Sequence, residues 1–230
     1  MPNYGDPEYW EKRYSEHKDS TFDWLENYST LKSIIGSLVA KNARVLILGC
    51  GNAEFSEDMY NDGYDYIYNI DISTVVIDQM RQRNIDKPPM SWAVMDVRDL
   101  KFESNYFHIA IDKSTIDALL CGDHAYLNVA KMTREVQRVL QMGGYYVVIS
   151  YGTPDTRLEH FQWEHLSFDV SQMTIGDESG NQHFVYICKK REDADQKSME
   201  NWSIVERVLM DADKEEENIE SDENEEEKND

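Results

Sequence analysis

The chain contains little cysteine and no long apolar stretch. Its three cysteines, Cys50, Cys121 and Cys188, are far apart and odd in number, so they form neither a disulfide framework nor a metal-ligand spacing. No apolar run approaches the ~20 residues that a membrane-spanning helix needs, and the N-terminus lacks the basic and apolar regions of a signal peptide. These absences lead us to expect a soluble, cytoplasmic protein with no metal and no membrane span.

Positively charged residues are also scarce. The 230 residues include 45 acidic and 23 basic side chains, which gives a formal net charge of −22. A nucleic-acid backbone or an anionic membrane surface would repel such a protein, so neither is expected to be its main partner. Much of the excess lies in residues 211–230, which contain twelve acids and two lysines. This composition predicts a charged tail that is disordered at least from residue 214.

Hydrophobic residues make up 40% of the chain and aromatic residues 11%, enough for one sizeable core. The patterning divides the chain into three zones. Residues 1–41 form an aromatic-rich segment that is expected to be helical, residues 42–190 alternate short apolar runs with helix-period stretches, and residues 191–230 form the charged tail. One folded domain is therefore expected, centred on the middle zone, with a monomer as the default oligomeric state.

The middle zone predicts a sheet flanked by helices. Ser73 is expected to cap the helix after the second strand, and a helix over 129–140 is expected to end at Gly143-Gly144. This alternation indicates an α/β, doubly wound, mostly parallel, seven-stranded sheet with an antiparallel closing strand. The strands are predicted at 44–48, 66–70, 91–95, 107–111 and 145–150, followed by an antiparallel pair at 165–173 and 183–189 around a turn at 177–180.

A glycine loop and a distant carboxylate predict an adenosine-containing cofactor. Gly49 and Gly51 follow the first strand, where glycine lets the backbone approach a ligand closely. Asp71 stands 20 residues after Gly51, the separation at which a carboxylate reaches a ribose diol. Glu54 occupies the third glycine position of the dinucleotide fingerprint and would compete with a pyrophosphate. Acidic residues also follow the third and fourth strands, so a cationic cofactor such as S-adenosylmethionine fits this crevice better than NAD.

Five short segments narrow the prediction to a family. Over residues 4–190 the chain resembles class I S-adenosylmethionine-dependent methyltransferases, and more narrowly the eukaryotic protein-lysine methyltransferases that act on translation elongation factor 1-alpha. Ile47 stands where the superfamily usually has an acid, a departure that the narrower family tolerates. The matching segments are YWEKRY at 9–14, FDW at 22–24, LGCGN at 48–52, MDVR at 95–98 and DKSTIDALL at 112–120.

The resemblance implies roles in cofactor binding. Gly49 and Gly51 would pass under the methionine and ribose portion, Asp71 would bind the ribose hydroxyls, and Ile72 would pack on the adenine.

Further cofactor contacts are implied after the third and fourth strands. Asp96 would accept from the adenine amino group, Val97 would offer its backbone N–H to a ring nitrogen, and Lys113 would lie beside the amino-acid end. Three aromatic residues of the first zone would fold over the cofactor as a lid, the alternative being plain packing on the core: Trp10, Tyr14 and Trp24.

The implied reaction is methyl transfer to a lysine amine, which must first lose its proton. Asp112, Tyr151 and His183 are the candidates for orienting or deprotonating the amine, and the sequence does not rank them. The segment from Asp112 to Thr115 disfavours methylation of adenine or of a glutamine amide. Two alternatives stay open, namely a small-molecule methyltransferase with the same cofactor site and a non-catalytic acidic binding protein.

Overall fold

The computed structural model describes residues 3–17, 20–176 and 182–226 of the chain, with side chains through Glu215. Within these residues one seven-stranded sheet has the order β3-β2-β1-β4-β5-β7-β6. Strands β1 to β5 are parallel, whereas β7 runs antiparallel to both β5 and β6. The bounds are β1 Arg44–Leu48, β2 Tyr66–Asp71, β3 Ser91–Val94, β4 Phe107–Lys113, β5 Leu140–Ser150, β6 Phe168–Gly176 and β7 Gln182–Lys190. The predicted fold class is confirmed.

Helices cover the sheet, and several begin at residues suited to capping. The Asp6 carboxylate and the Asn27 amide oxygen each accept a backbone N–H of the first helical turn, and the Ser73 hydroxyl accepts from Val76, as predicted. Of the described helices, none has the length and apolar character to cross a membrane. They are α1 Pro7–Glu16, α2 Tyr28–Leu38, α3 Phe55–Asn61, α4 Thr74–Arg83, α5 Thr115–Leu119, α6 Ala125–Val139, α7 Pro154–Arg157, a 3₁₀ turn Leu158–Phe161, and α8 Ala194–Glu226.

The core lies on both faces of the sheet. Side chains of a strand alternate between faces, and β1 is apolar on each, so it is buried from both sides. Val45 and Ile47 pack with Leu31 of α2 on one face, whereas Leu46 and Leu48 pack with α6 on the other. The first zone is therefore not a lid throughout, because α2 belongs to the core.

The strand order brings the predicted site residues to one edge. Leu48 at the end of β1 pairs with Ile70 of β2 on one side and with Asp112 of β4 on the other. The chain leaves β1 and β4 toward opposite faces of the sheet, which opens a crevice between their carboxyl ends. The glycine loop, Asp71 and Lys113 all lie at this crevice.

Gly143-Gly144 does not end a helix. Helix α6 already ends at Val139, and β5 begins with the next residue, so both glycines lie inside a strand. Gly143 has a φ of +74°, and a Cβ on Gly144 would stand 3.1 Å from the carbonyl oxygen of His108 on β4. The pairing of β4 with β5 shifts register between Phe107 and Ile109. The pair therefore makes an irregular, closely packed strand entry that only glycine allows.

The charged tail also differs from the prediction of disorder from residue 214. Helix α8 continues to Glu226, and residues 227–230 lie outside the described part of the chain. No glycine or proline occurs after residue 180, and glutamate and lysine are good helix formers. Val205 and Leu209 pack α8 onto Leu127 and Ala130 of α6, which fixes the helix that the charged residues then extend. The predicted turn at 177–180 lies outside the described residues.

Candidate functional site

A cavity of about 380 Å³ opens at the carboxyl edge of the sheet. Strand ends form its floor. Its roof consists of residues from the first zone: Tyr4, Gly5, Pro7, Trp10, Tyr14, Phe22, Asp23 and Trp24. The structure brings together in this one cavity every residue for which the sequence predicts a cofactor contact: Trp10, Tyr14, Trp24, Gly49, Gly51, Asp71, Ile72, Asp96, Val97 and Lys113.

The glycine loop is confined between two helices. Gly49 and Gly51 have φ angles of +58° and +54°, a backbone conformation that other residues rarely adopt. The Thr115 hydroxyl on α5 contacts Gly49 and donates to the carbonyl oxygen of Leu48 at 2.9 Å. A Cβ on Gly51 would lie 2.9 Å from Oη of Tyr14. The loop therefore leaves its backbone, rather than side chains, facing the cavity.

Asp71 is placed to hold a diol. Its Oδ2 accepts the backbone N–H of Gly51 at 2.9 Å, and its Oδ1 accepts that of Ser73 at 3.0 Å. The side chain is nearly buried, and desolvation raises the pKa of its carboxyl despite these two bonds. Among the described residues, no basic side chain forms an ion pair with it, so each oxygen keeps a lone pair for a further donor. Two adjacent ribose hydroxyls fit this carboxylate.

Asp96 lies farther along the same edge and is held by Arg98. The guanidinium approaches the carboxylate with Nε at 3.0 Å from both oxygens, and Nη1 is fixed by Asn128 at 2.9 Å. Burial opposes ionisation of Asp96, but the hydrogen bonds and charge of Arg98 outweigh burial and hold its pKa below the usual range. A permanently ionised acceptor therefore faces the cavity beside Val97.

The roof is an aromatic cluster that is tied to the body of the protein. Trp10 stacks on Tyr14 with ring centroids 5.9 Å apart, and Trp24 meets Trp10 edge to face at 6.2 Å. The Glu11 carboxylate, which the sequence did not single out, accepts the Ser73 hydroxyl at 2.5 Å beside the N-terminus of α4. We call residues 4–17 and 20–26 the lid, since they cover the cavity and are held by these contacts.

Lys113 is turned toward the lid rather than toward the cofactor pocket. Its side chain lines the cavity, but its ammonium forms an ion pair with Asp23 and donates to the carbonyl oxygens of Trp24 and Glu26, both at 2.9 Å. These three acceptors use all three of its N–H donors. All three donors of Lys113 are therefore engaged by the lid, and its place beside the cofactor's amino-acid end stays a prediction.

Two of the three catalytic candidates do not line the cavity. Asp112 is fully buried beneath it, where its carboxylate accepts the backbone N–H of Thr115 at 2.7 Å and the Tyr146 hydroxyl at 2.8 Å. Burial raises the pKa of Asp112 to about 7. The Nδ1 of His183 lies 2.8 Å from Glu26 Oε1 of the lid. Asp112 thus holds the start of α5, and only Tyr151 faces the cavity.

Asp117, which was not predicted as a site residue, organises the wall next to Tyr151. Its carboxylate accepts the Ser150 hydroxyl at 2.5 Å, the backbone N–H of Tyr151 at 3.2 Å and the Arg157 guanidinium at 2.7 Å. It lines the cavity as part of the DKSTIDALL segment, which was the only signal available.

No group of three or more potential metal ligands occurs in the part of the chain that the structure describes.

Known proteins with related sequences are methyltransferases. Residues 46–148 match a family model described as a methyltransferase domain. The chain is 41% identical over 150 residues to the Mus musculus protein named eEF1A lysine and N-terminal methyltransferase, a match that covers 64% of this chain but 22% of the mouse protein. It is 30% identical over 196 residues to EEF1A lysine methyltransferase 4 from Bos taurus, with 81% of this chain and 76% of that protein covered.

A solved structure supports the fold. Geranyl diphosphate C-methyltransferase from Streptomyces coelicolor, crystallised with S-adenosyl-L-homocysteine, superposes with a TM-score of 0.58 at 13% identity, covering 83% of this chain and 99% of that one. At this identity the likeness concerns the fold alone. Together with the 76% coverage of the bovine relative, it confirms the resemblance seen in the sequence: the chain belongs to the class I, S-adenosylmethionine-dependent methyltransferase family that includes EEF1A lysine methyltransferase 4.

Proposed function

We propose that this protein transfers a methyl group from S-adenosylmethionine to a lysine side chain of a protein that resembles translation elongation factor 1-alpha. The observation that carries the cofactor assignment is the Asp71 carboxylate. Among the described residues it accepts hydrogen bonds from backbone N–H groups alone, and it faces a glycine loop with positive φ angles. The protein substrate is inferred from the names of the mouse and bovine relatives.

The residues present fit the cofactor. Asp71 supplies acceptors for the ribose hydroxyls, Asp96 supplies an ionised acceptor for the adenine amino group, and the glycine loop leaves room beneath the remainder. When bound, the cofactor supplies a methyl group on a positively charged sulfur. The lid aromatics exclude water from the cavity, which strengthens the alignment of an incoming nitrogen with that methyl group.

The cavity offers no obvious general base. Four aspartates line it, and three of them pair with cations: Asp23 with Lys113, Asp96 with Arg98, and Asp117 with Arg157. The remaining one, Asp71, is the proposed ribose ligand. We infer that the acceptor amine loses its proton as it leaves water, because burial without a negative partner lowers the pKa of an ammonium.

The test is transfer of tritium from labelled cofactor to purified elongation factor 1-alpha and to whole lysate. Label on the elongation factor, mapped to a lysine by mass spectrometry, is the expected result. Label only in the small-molecule fraction would favour the small-molecule alternative, and no label anywhere would favour a binding protein. Asp71→Ala should abolish transfer, whereas the matched control Asp78→Ala changes an exposed carboxylate of α4 and should not. The cytoplasmic location stays a prediction, to be checked by microscopy of the tagged protein.

A further inference from the structure

The cavity extends beyond the part assigned to the cofactor, and strand order shows in which direction. Asp96 follows β3, Asp71 ends β2, and the glycine loop follows β1, so the adenosine side lies toward one end of the edge. Lys113 and Tyr151 end or follow β4 and β5 on the other side. Adjacent strands are about 4.8 Å apart, which places Tyr151 about 10 Å along the edge from the glycine loop. Tyr151 is therefore the next cavity wall after the methionine portion.

Tyr151 is exposed but held in a fixed position. Its ring is 57% exposed, and its backbone N–H donates to Asp117, which Arg157 neutralises. The His183 ring packs against the Tyr151 ring edge to face, with centroids 5.1 Å apart and planes at 86°. His183 is in turn fixed by Glu26 of the lid. Among the described residues, the Tyr151 ring contacts only the His183 ring, which leaves an aromatic face at the cavity rim available to a ligand.

We propose that the ring of Tyr151 is the wall of the methyl-acceptor subsite, and that this subsite takes a primary amine on a long, unbranched aliphatic chain. The inference rests on the proposed function and adds to it the place where the acceptor lies. An aromatic face packs against methylene groups and attracts an ammonium without forming a salt bridge. The nearby carboxylates of Asp117 and Asp23 are already paired with Arg157 and Lys113. The ring therefore positions the amine while adding less stabilisation of its charged form than a carboxylate partner would.

The decisive probe is a stable bisubstrate compound in which a nitrogen replaces the sulfur of S-adenosylhomocysteine and carries an aminoethyl arm, whose amine is extended by a butyl chain to mimic the acceptor. Its dissociation constant and that of S-adenosylhomocysteine are measured by calorimetry on the full-length protein. The ratio of the two constants reports the acceptor subsite whichever protein is the natural substrate. The variants are Tyr151→Ala and Tyr151→Phe, with Tyr66→Ala as the control, since Tyr66 is another exposed tyrosine, at the start of β2 and away from the carboxyl edge of the sheet.

In the wild type the arm should strengthen binding by about tenfold. Tyr151→Ala should remove this advantage, whereas Tyr151→Phe and Tyr66→Ala should keep it, and all variants should bind S-adenosylhomocysteine normally. The proposal is overturned if the arm gives no advantage, if Tyr151→Ala keeps the advantage or loses S-adenosylhomocysteine as well, or if Tyr151→Phe behaves like alanine. Failure of the wild type to bind S-adenosylhomocysteine would instead refute the cofactor assignment, and the subsite with it. If the ratio of the two dissociation constants is as expected but elongation factor 1-alpha is not methylated, the assignment of the subsite stands and the substrate is a different molecule.

Discussion

Replacing Lys113 by methionine should weaken cofactor binding even though its ammonium makes no contact on the cofactor side. Methionine keeps the apolar stem that lines the cavity but removes the ion pair with Asp23 and the two bonds to the carbonyl oxygens of Trp24 and Glu26. Those three bonds hold a turn in which Leu25 has a φ of +62°, an unfavourable conformation for leucine. Without these bonds, we expect the strained turn around Leu25 to open.

The size of the effect follows from burial. Lys113 and Asp23 are only 10% and 25% exposed, and breaking a buried pair by removing one partner costs about 3–5 kcal/mol. Because Asp23 can recover some hydration when the lid opens, we expect a smaller cost than that range, about 2–3 kcal/mol against the closed lid. The apparent dissociation constant rises in inverse proportion to the closed fraction. Cofactor affinity should therefore fall by at least about tenfold, or ~1.4 kcal/mol.

A second variant distinguishes between two roles of Lys113, namely anchoring the lid and binding the cofactor. If Lys113 held the cofactor, Asp23→Asn would free its ammonium and leave cofactor binding unchanged or tighter. If Lys113 anchors the lid, Asp23→Asn should weaken binding too, and the double variant should be no worse than Lys113→Met alone. Lys32→Met, which removes a lysine that pairs with Asp62 away from the cavity, is the control.

Calorimetry with S-adenosylhomocysteine gives the affinities, and hydrogen exchange of residues 20–27 reports the lid directly. Faster exchange in Lys113→Met and in Asp23→Asn is the expected result. The reasoning is refuted if Lys113→Met loses affinity while Asp23→Asn binds normally and exchange in the lid is unchanged. That outcome would indicate instead that the Lys113 ammonium binds the cofactor.

Three further changes test the floor of the site. Asp71→Ala should weaken S-adenosylhomocysteine binding by about 2–4 kcal/mol, and because burial raises the Asp71 pKa, wild-type affinity should fall as the pH falls through that value. Asp112→Asn removes a carboxyl group whose pKa is raised to about 7 in the folded state. The free energy of unfolding of the wild type relative to the variant should therefore be greatest below about pH 4, and it should fall by at most about 4 kcal/mol as the pH rises to about 7. If urea unfolding of the two proteins depends on pH in the same way across this range, the pKa assignment is wrong. Gly51→Ala forces a Cβ to 2.9 Å from Tyr14 Oη and should weaken cofactor binding, whereas Gly63→Ala, with a φ of +96° and open space around it, should lower stability alone.

The sheet could be predicted because its strands are buried on both faces. Continuous apolar runs gave β1 at residues 44–48 and β2 to within one residue of its observed end. The start of β5 was missed because Gly143-Gly144 has the composition of a helix end, whereas Gly143 is explained by its positive φ and Gly144 by the close approach of the His108 carbonyl oxygen. A local pattern cannot report a neighbour that is more than thirty residues away in the chain.

The sequence predicted which residues gather at the site, but not the face of the sheet toward which each side chain points. Asp112 and Lys113 are adjacent in β4, so their side chains must point to opposite faces of the sheet. Ala110 shares the face of Asp112, which meets Tyr146 in the core on the α6 side, and Ile111 shares the face of Lys113, which meets the lid. Alternation alone would have separated the two roles. It could not have assigned the faces, because which helix covers which face depends on the topology.

The lid connects the two ends of the site. Its last turn is tied to the end of β4 through Lys113 and to β7 through the Glu26–His183 contact, and His183 supports Tyr151. Its first helix supplies Tyr14 against the glycine loop. The lid therefore contacts the proposed cofactor pocket directly and the proposed acceptor wall through His183. Because the cofactor would contact the lid at Tyr14, we expect its binding to favour the conformation in which Glu26 holds His183 against Tyr151, before the protein substrate arrives.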